Sequence, residues 1–172
     1  MLAAALAGAA LAGAQTSSAP EVPDAVRASA GARLLLVAHA SGAQIYRCTQ
    51  EADGTLHWTL KGPEAELRDD KGVIVGRHYA GPSWRHNDGS IVTGKAVAHV
   101  ESPDPDSIPW LLVSAVGHEG HGALERVSLI QRIHTKGGQP PAAAQCTAAQ
   151  RDVEARSAYS ADYYFYAAGN GQ

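Results

Sequence analysis

The chain has 172 residues, 45% of them hydrophobic and 18% charged, which is enough to bury a core without several disulfides or a metal. Its formal net charge of -3 and the lack of any basic run argue against nucleic acid as a partner. The low charged share and 18 glycines favour strands and turns over long solvated helices.

Residues 1–14 are Ala, Leu and Gly after the initiator and end in Ala12-Gly13-Ala14. A short apolar run closing on small residues is the pattern of a signal peptide, although no Lys or Arg precedes it, and it makes Gln15 the first mature residue. The run falls short of the ~20 residues a spanning helix needs, and no later stretch is longer. The expectation is a secreted or periplasmic protein with no stable membrane span in the mature chain. Residues 15–32 carry Ser, Ala and two prolines without a sustained period and read as a linker or N-terminal arm. A single β-rich domain is expected over 33–166, followed by a tail at 167–172.

Within that domain, 33–38 is a short apolar strand, Ser41-Gly42 a turn, and Gln44-Ile45-Tyr46-Arg47-Cys48 a second strand. Asp53-Gly54 is a strong hairpin signal, because a type I′ turn needs positive φ at both central positions, and it leads into a strand at 56–60. Asp70-Lys71-Gly72 and Asn87-Asp88-Gly89 mark further tight turns, opening onto strands at 73–75 and 91–100. Residues 101–109 hold three prolines and must be irregular. Strands are expected at 110–116 and 127–135, with loops between them. Residues 142–157, rich in Ala, Gln and charged side chains, form the one predicted helix. The last strand, 159–166, alternates Tyr159, Ala161, Tyr163 and Phe165 against Ser160, Asp162, Tyr164 and Tyr166. Many strands with Gly-rich turns predict an all-β fold, an antiparallel β-sandwich or barrel with one short helix near the C-terminus. In an oxidising compartment the two cysteines, Cys48 and Cys146, are expected to pair.

Several strings occur together and in order: Gln44-Ile45-Tyr46-Arg47-Cys48, Pro63-Glu64-Ala65-Glu66-Leu67, Gly76-Arg77-His78-Tyr79-Ala80-Gly81-Pro82-Ser83-Trp84, Asp88-Gly89-Ser90, Ile108-Pro109-Trp110-Leu111-Leu112, Ser114-Ala115-Val116-Gly117-His118-Glu119-Gly120, Ile130-Gln131-Arg132 and Ala161-Asp162-Tyr163-Tyr164-Phe165-Tyr166. Over nearly the whole chain after the linker they resemble the secreted bacterial and fungal proteins grouped as domain-of-unknown-function family 3455. The resemblance implies export and a compact, disulfide-closed domain, and brings no catalytic residue. His78, Trp84 and His118 lie inside these strings, whereas His86, His121 and His134 lie outside them.

Gly117-His118-Glu119-Gly120-His121-Gly122 is the most metal-like stretch, with His118 and His121 as ligands for Zn or Cu and His78 or His134 completing the set. Its histidines are three apart among glycines, unlike the helical zinc-protease pattern, and a solvated polar loop is the competing reading, with no cofactor at all. Gly81-Pro82-Ser83-Trp84 does not fit a nucleophile elbow. Aromatic rings that can stack on a sugar or an organic ligand form the other candidate. Trp84 follows Gly81-Pro82 in a predicted loop beside His78 and Tyr79, with Lys95, His118 and Arg132 as polar partners. Three readings stand: a domain binding a small polar or carbohydrate ligand, a metal-assisted extracytoplasmic enzyme, and a structural or adhesion protein. Binding is placed first because aromatic and polar residues gather without a nucleophile or metal motif.

Overall fold

The structure, a computed structural model, describes residues 18–169. Eight antiparallel strands follow one another around a closed barrel: β1 (Arg33–Gln50), β2 (Leu56–Arg68), β3 (Ile74–Tyr79), β4 (Ser83–His86), β5 (Ile91–Val100), β6 (Trp110–Glu119), β7 (Leu129–Gly137) and β8 (Glu154–Ala167). β8 pairs back onto β1 from Arg33↔Ala167 to Arg47↔Glu154, which closes the sheet on itself. Of the two expected architectures, sandwich and barrel, the chain adopts the barrel.

The side-chain period of two decides what fills it. Ala38 and Ala40 on β1, Ala65 and Leu67 on β2, Trp84 on β4, Val92 on β5, Val113 on β6, Ile130 on β7, and Tyr159, Ala161, Tyr163 and Phe165 on β8 form one buried cluster. The alternation expected for the last strand is therefore the observed one. Two β-bulges in the β5–β6 pairing leave Val97 and Val116 as the extra residues. That explains why these valines are 57% and 62% exposed, since a bulged residue leaves the inward phase.

β1 differs from expectation in being continuous through Ser41-Gly42. Gly42 is no turn residue: a Cβ there would run into Glu64 O and Ala65 of β2. It marks a close approach of two strand backbones inside a small barrel.

The predicted helix at 142–157 is also absent. Two short 3-10 turns, Ala143–Gln145 and Ala148–Gln150, occupy its first half, and β8 begins at Glu154. A helix of that length is marginal in isolation, and tertiary constraints outweigh its propensity. Cys146 is joined by a disulfide to Cys48, with Cα atoms 5.3 Å apart. Asp152 N donates to Cys48 O (2.9 Å) and Cys48 N to Val153 O (3.0 Å), drawing the segment into the sheet.

The two ends of the barrel differ. At one end the β6–β7 loop inserts Leu124 and Val127, both in the core cluster. At the other, Ile108 of the β5–β6 loop and the long β7–β8 loop fold inward, Tyr46 Oη donating to Gly138 O (2.7 Å). Outside the barrel, the arm places Val22 and Val26 against Ile133, Val100, Trp110, Leu112 and Tyr164. Gln131 Nε2 donates to Val26 O (2.7 Å) and Gln131 Oε1 accepts from Tyr166 Oη (2.6 Å), so the arm is packed against the barrel wall. Among the described residues no helix is long and apolar enough to cross a membrane. The expected signal peptide, 1–14, lies outside the described residues.

Asp88 staples the closed end. Its Oδ1 accepts from Ser90 N (2.9 Å) and Ser90 Oγ (2.6 Å), and its Oδ2 from Ala123 N (2.7 Å). Ser90 Oγ in turn accepts from Leu124 N (3.2 Å). These donors, led by the Ser90 hydroxyl, hold the carboxyl well below the usual carboxylate range. Because the folded-state value is depressed, this stabilisation is present above the unfolded carboxylate range and is lost as pH falls below it. Asp88→Ala is expected to cost about 1–2 kcal/mol at neutral pH and progressively less in acid. Urea unfolding of both proteins at pH 7 and pH 3 checks this; a pH-independent difference would contradict it.

Candidate functional site

Between the closed end and the inserted loops the barrel holds a cavity of about 300 Å³, lined by residues from β1 to β8. Its apolar wall is Leu60, Pro63, Pro82, Leu111 and Val113. Its mouth passes the β3–β4 hairpin tip at Gly81-Pro82 and the start of the second half of β5 at Ala96. Gly62, at φ 145°, lets β2 pass this tip, since a Cβ there would meet Ala80 at 2.7 Å. The inner wall carries polar groups: Gln44, His78, Trp84, Arg132 and Tyr163.

Neighbouring strands bring these groups together. His78 pairs with Trp84 across β3–β4, and Arg132 pairs with both Tyr163 on β8 and Leu111 on β6. The His78 and Trp84 rings stack at 4.4 Å with 6° between their planes, and Tyr163 meets both edge-on at 5.0 and 5.6 Å. His78 Nδ1–H donates to Ser83 O (2.9 Å), which leaves Nε2 as an acceptor. Burial lowers the His78 pKa to about 3, only partly opposed by the bond to Ser83, so the ring is a neutral, oriented acceptor.

Most of the other polar atoms are without partners. Gln44, Trp84 and Tyr163 are 2%, 1% and 1% exposed. Both amide atoms of Gln44, Trp84 Nε1 and the hydroxyls of Tyr159 and Tyr163 form no hydrogen bond within the described residues. The Tyr163 phenol lies close enough to Tyr159 and Arg132 for both to act on its acidity, yet without hydrogen-bond geometry to either. Burial pushes the tyrosines up, keeping both hydroxyls protonated and able to donate. Arg132 Nε and Nη2 both donate to Pro109 O, at 3.2 and 2.8 Å. An unpaired buried polar group costs about 1–3 kcal/mol, so several around one space amount to a site prepared for something else.

Of the sequence-predicted residues, the cavity brings together His78, Trp84 and Arg132 and leaves out Tyr79, Lys95 and His118. Tyr79 is on the outer face opposite Glu64, and Lys95 is exposed between inward-facing Gly94 and the mouth residue Ala96. His118 lies near the closed end, where Nε2–H donates to Val127 O (2.7 Å). His121 is exposed beside Glu125, at 3.2 Å, and His134 bonds Asp162 Oδ2 (2.8 Å) on the outside of the barrel. The structure does not assemble these histidines, and no group of three or more His, Cys, Asp or Glu suited to a metal occurs among the described residues.

The family model for a protein of unknown function, DUF3455, matches residues 28–167. The chain belongs to that family. No curated protein and no solved structure is detectably similar to it. In this DUF3455 chain the matched span covers the whole barrel, every cavity residue and both cysteines.

Gln44 was not among the expected site residues of this DUF3455 protein. The signal was nevertheless present: Gln44 shares the phase of Ala38, Ala40 and Gly42, a lone amide in an inward register. Placing a turn at Ser41-Gly42 broke that phase and hid it. Tyr163 was recognisable as an inward aromatic, but its unpaired hydroxyl emerges only once Arg132 and Trp84 are placed around it.

Proposed function

We propose that this protein is an exported binding protein that holds one small organic molecule inside the open half of its barrel. The observation that carries the reading is the convergence of buried, unpartnered polar atoms from Gln44, Trp84 and Tyr163 on one apolar-walled cavity. Small-ligand sites are typically apolar pockets of about 300–1,000 Å³ with a few placed polar groups. Export is supported by the disulfide, which suits an oxidising compartment, and by the apolar start of the chain.

Binding is tested with a neutral probe, N-phenyl-1-naphthylamine, whose fluorescence rises in an apolar site. Saturable binding with quenching of tryptophan emission is expected. Ala96→Trp, which fills the exposed mouth without entering the core, is expected to weaken it at least ten-fold with an unchanged melting transition. Non-saturable binding, or binding indifferent to Ala96→Trp, would refute the reading.

A further inference from the structure

The charge balance of the cavity narrows its occupant. No Asp or Glu lines it, and its two cationic residues are Lys61 and Arg132. Lys61 is already paired outside with Glu154 at 2.8 Å. Arg27, Arg47, Arg68, Arg77 and Arg156 reach carboxylates, and Arg33, Arg85, Arg126 and Arg151, which reach none among the described residues, are exposed to water. Arg132 reaches none either and is half-buried in the wall. Its one acceptor among the described residues is the Pro109 carbonyl, and Nη1 has no partner among them. A cation withdrawn from water without a counter-charge is costly, and hydrogen-bond donors share the wall with this one. Trp84 Nε1–H can only donate, and the Tyr163 hydroxyl and Gln44 amide can both donate.

We propose that the ligand is an organic monocarboxylate, its carboxylate held by Arg132 with Tyr163 and Gln44, its apolar body against Leu111, Val113 and Pro82. The assignment rests on the binding reading above and adds the chemical class. A guanidinium offers a planar fork that matches a carboxylate. The cavity holds one unpaired cation rather than the cluster that a dianion would need, and its apolar wall asks for a hydrocarbon or aryl body. His78 Nε2, an obligate acceptor, has no role toward the carboxylate and suits a donor elsewhere on the ligand.

Displacement of N-phenyl-1-naphthylamine from the mature protein by trans-cinnamate and octanoate, each against its own primary amide, tests the class at pH 7. At least one acid is expected to bind ten-fold or more tightly than its amide, with the preference shrinking as salt is raised. Arg132→Met, checked for folding by circular dichroism, is expected to abolish the acid-over-amide preference. Equal affinity of acid and amide for the wild-type protein, or preference for inorganic phosphate, overturns the carboxylate assignment while leaving the binding reading intact. Failure of the naphthylamine itself to bind overturns both. The comparison of acid with amide needs only the wild-type protein, so it stands even if the variant fails to fold.

Discussion

Replacing Cys48 and Cys146 together by alanine is expected to lower stability by about 3–5 kcal/mol, which for a chain of this size lowers the melting temperature by on the order of 10 °C. The bridge spans a sequence separation of 98, so its loss frees the unfolded chain across β2 to β7. In the folded protein it ties the β7–β8 loop to β1, beside Tyr46 Oη on Gly138 O (2.7 Å), Arg47 Nη2 on Asp152 Oδ1 (3.0 Å), Arg151 Nη1 on Gln50 Oε1 (3.1 Å) and two backbone bonds at Cys48, with Trp58 Nε1 of β2 on Ala142 O (3.3 Å). Urea unfolding of the paired variant against wild type measures the cost. A change below about 1 kcal/mol would mean that these bonds, rather than the bridge, secure the open end.

How much of this was legible follows from which interactions are local. The tight turns are local: Asp53 Oδ1 accepts from Thr55 N (2.8 Å) and Gly54 sits at φ 89°, so the Asp-Gly pair does turn the chain. Asp53 is not at positive φ, however, and the loop closes through Gly54 N on Glu51 O (2.9 Å) instead of the expected type I′ turn. A local turn also forms at Asp69, whose Oδ1 accepts from Lys71 N and Val73 N, both at 2.9 Å, beside Gly72 at φ 78°. Strand alternation was legible wherever the apolar phase is unbroken, as in β8. It failed at β1, where Gly42 serves an approach to Glu64 and Ala65 that lies in another strand. It failed again at 142–157, where an Ala-rich composition points to helix while a distant cysteine and the β1 backbone dictate otherwise. Barrel closure is a long-range event, and no local window distinguishes it from a sandwich.

The site shows the same division. His78, Trp84 and Arg132 stood out by residue type, but so did Tyr79, Lys95 and His118, which face outward or lie at the other end. Only the strand register sorts them, because a shift of one residue moves a side chain through the wall. The function proposed for the cavity follows from that sorting. A polar residue in the inward phase of a small barrel must find a partner in the wall, in water or in a ligand, and Gln44, Trp84 and Tyr163 find none in the wall.

His78→Asn is expected to flatten the acid limb of the stability profile. In the folded protein burial depresses the His78 pKa from 6.5 to about 3, so the unfolded chain takes up a proton that the folded chain refuses. A depressed folded-state value contributes stability that is present above pH 6.5 and is lost as pH falls from there toward 3. Between pH 7.5 and 4.5 this one residue should remove about 2–3 kcal/mol from the wild type. Asparagine places its amide N–H where Nδ1–H donates to Ser83 O and does not titrate, so the variant should lack that slope whatever its stability at pH 7.5. The other groups titrate alike in both proteins and cancel in the difference. His39, raised by its bonds to Asp70 and Asp162, stabilises the fold below pH 6.5 and acts in the opposite sense. The depressed carboxylates Asp88 and Asp104 contribute chiefly below the window. Urea midpoints at pH 7.5, 6.5, 5.5 and 4.5 give the slope for each protein. Parallel profiles would show that the His78 ring accepts a proton in the folded state and that the inner wall of the cavity is open to water.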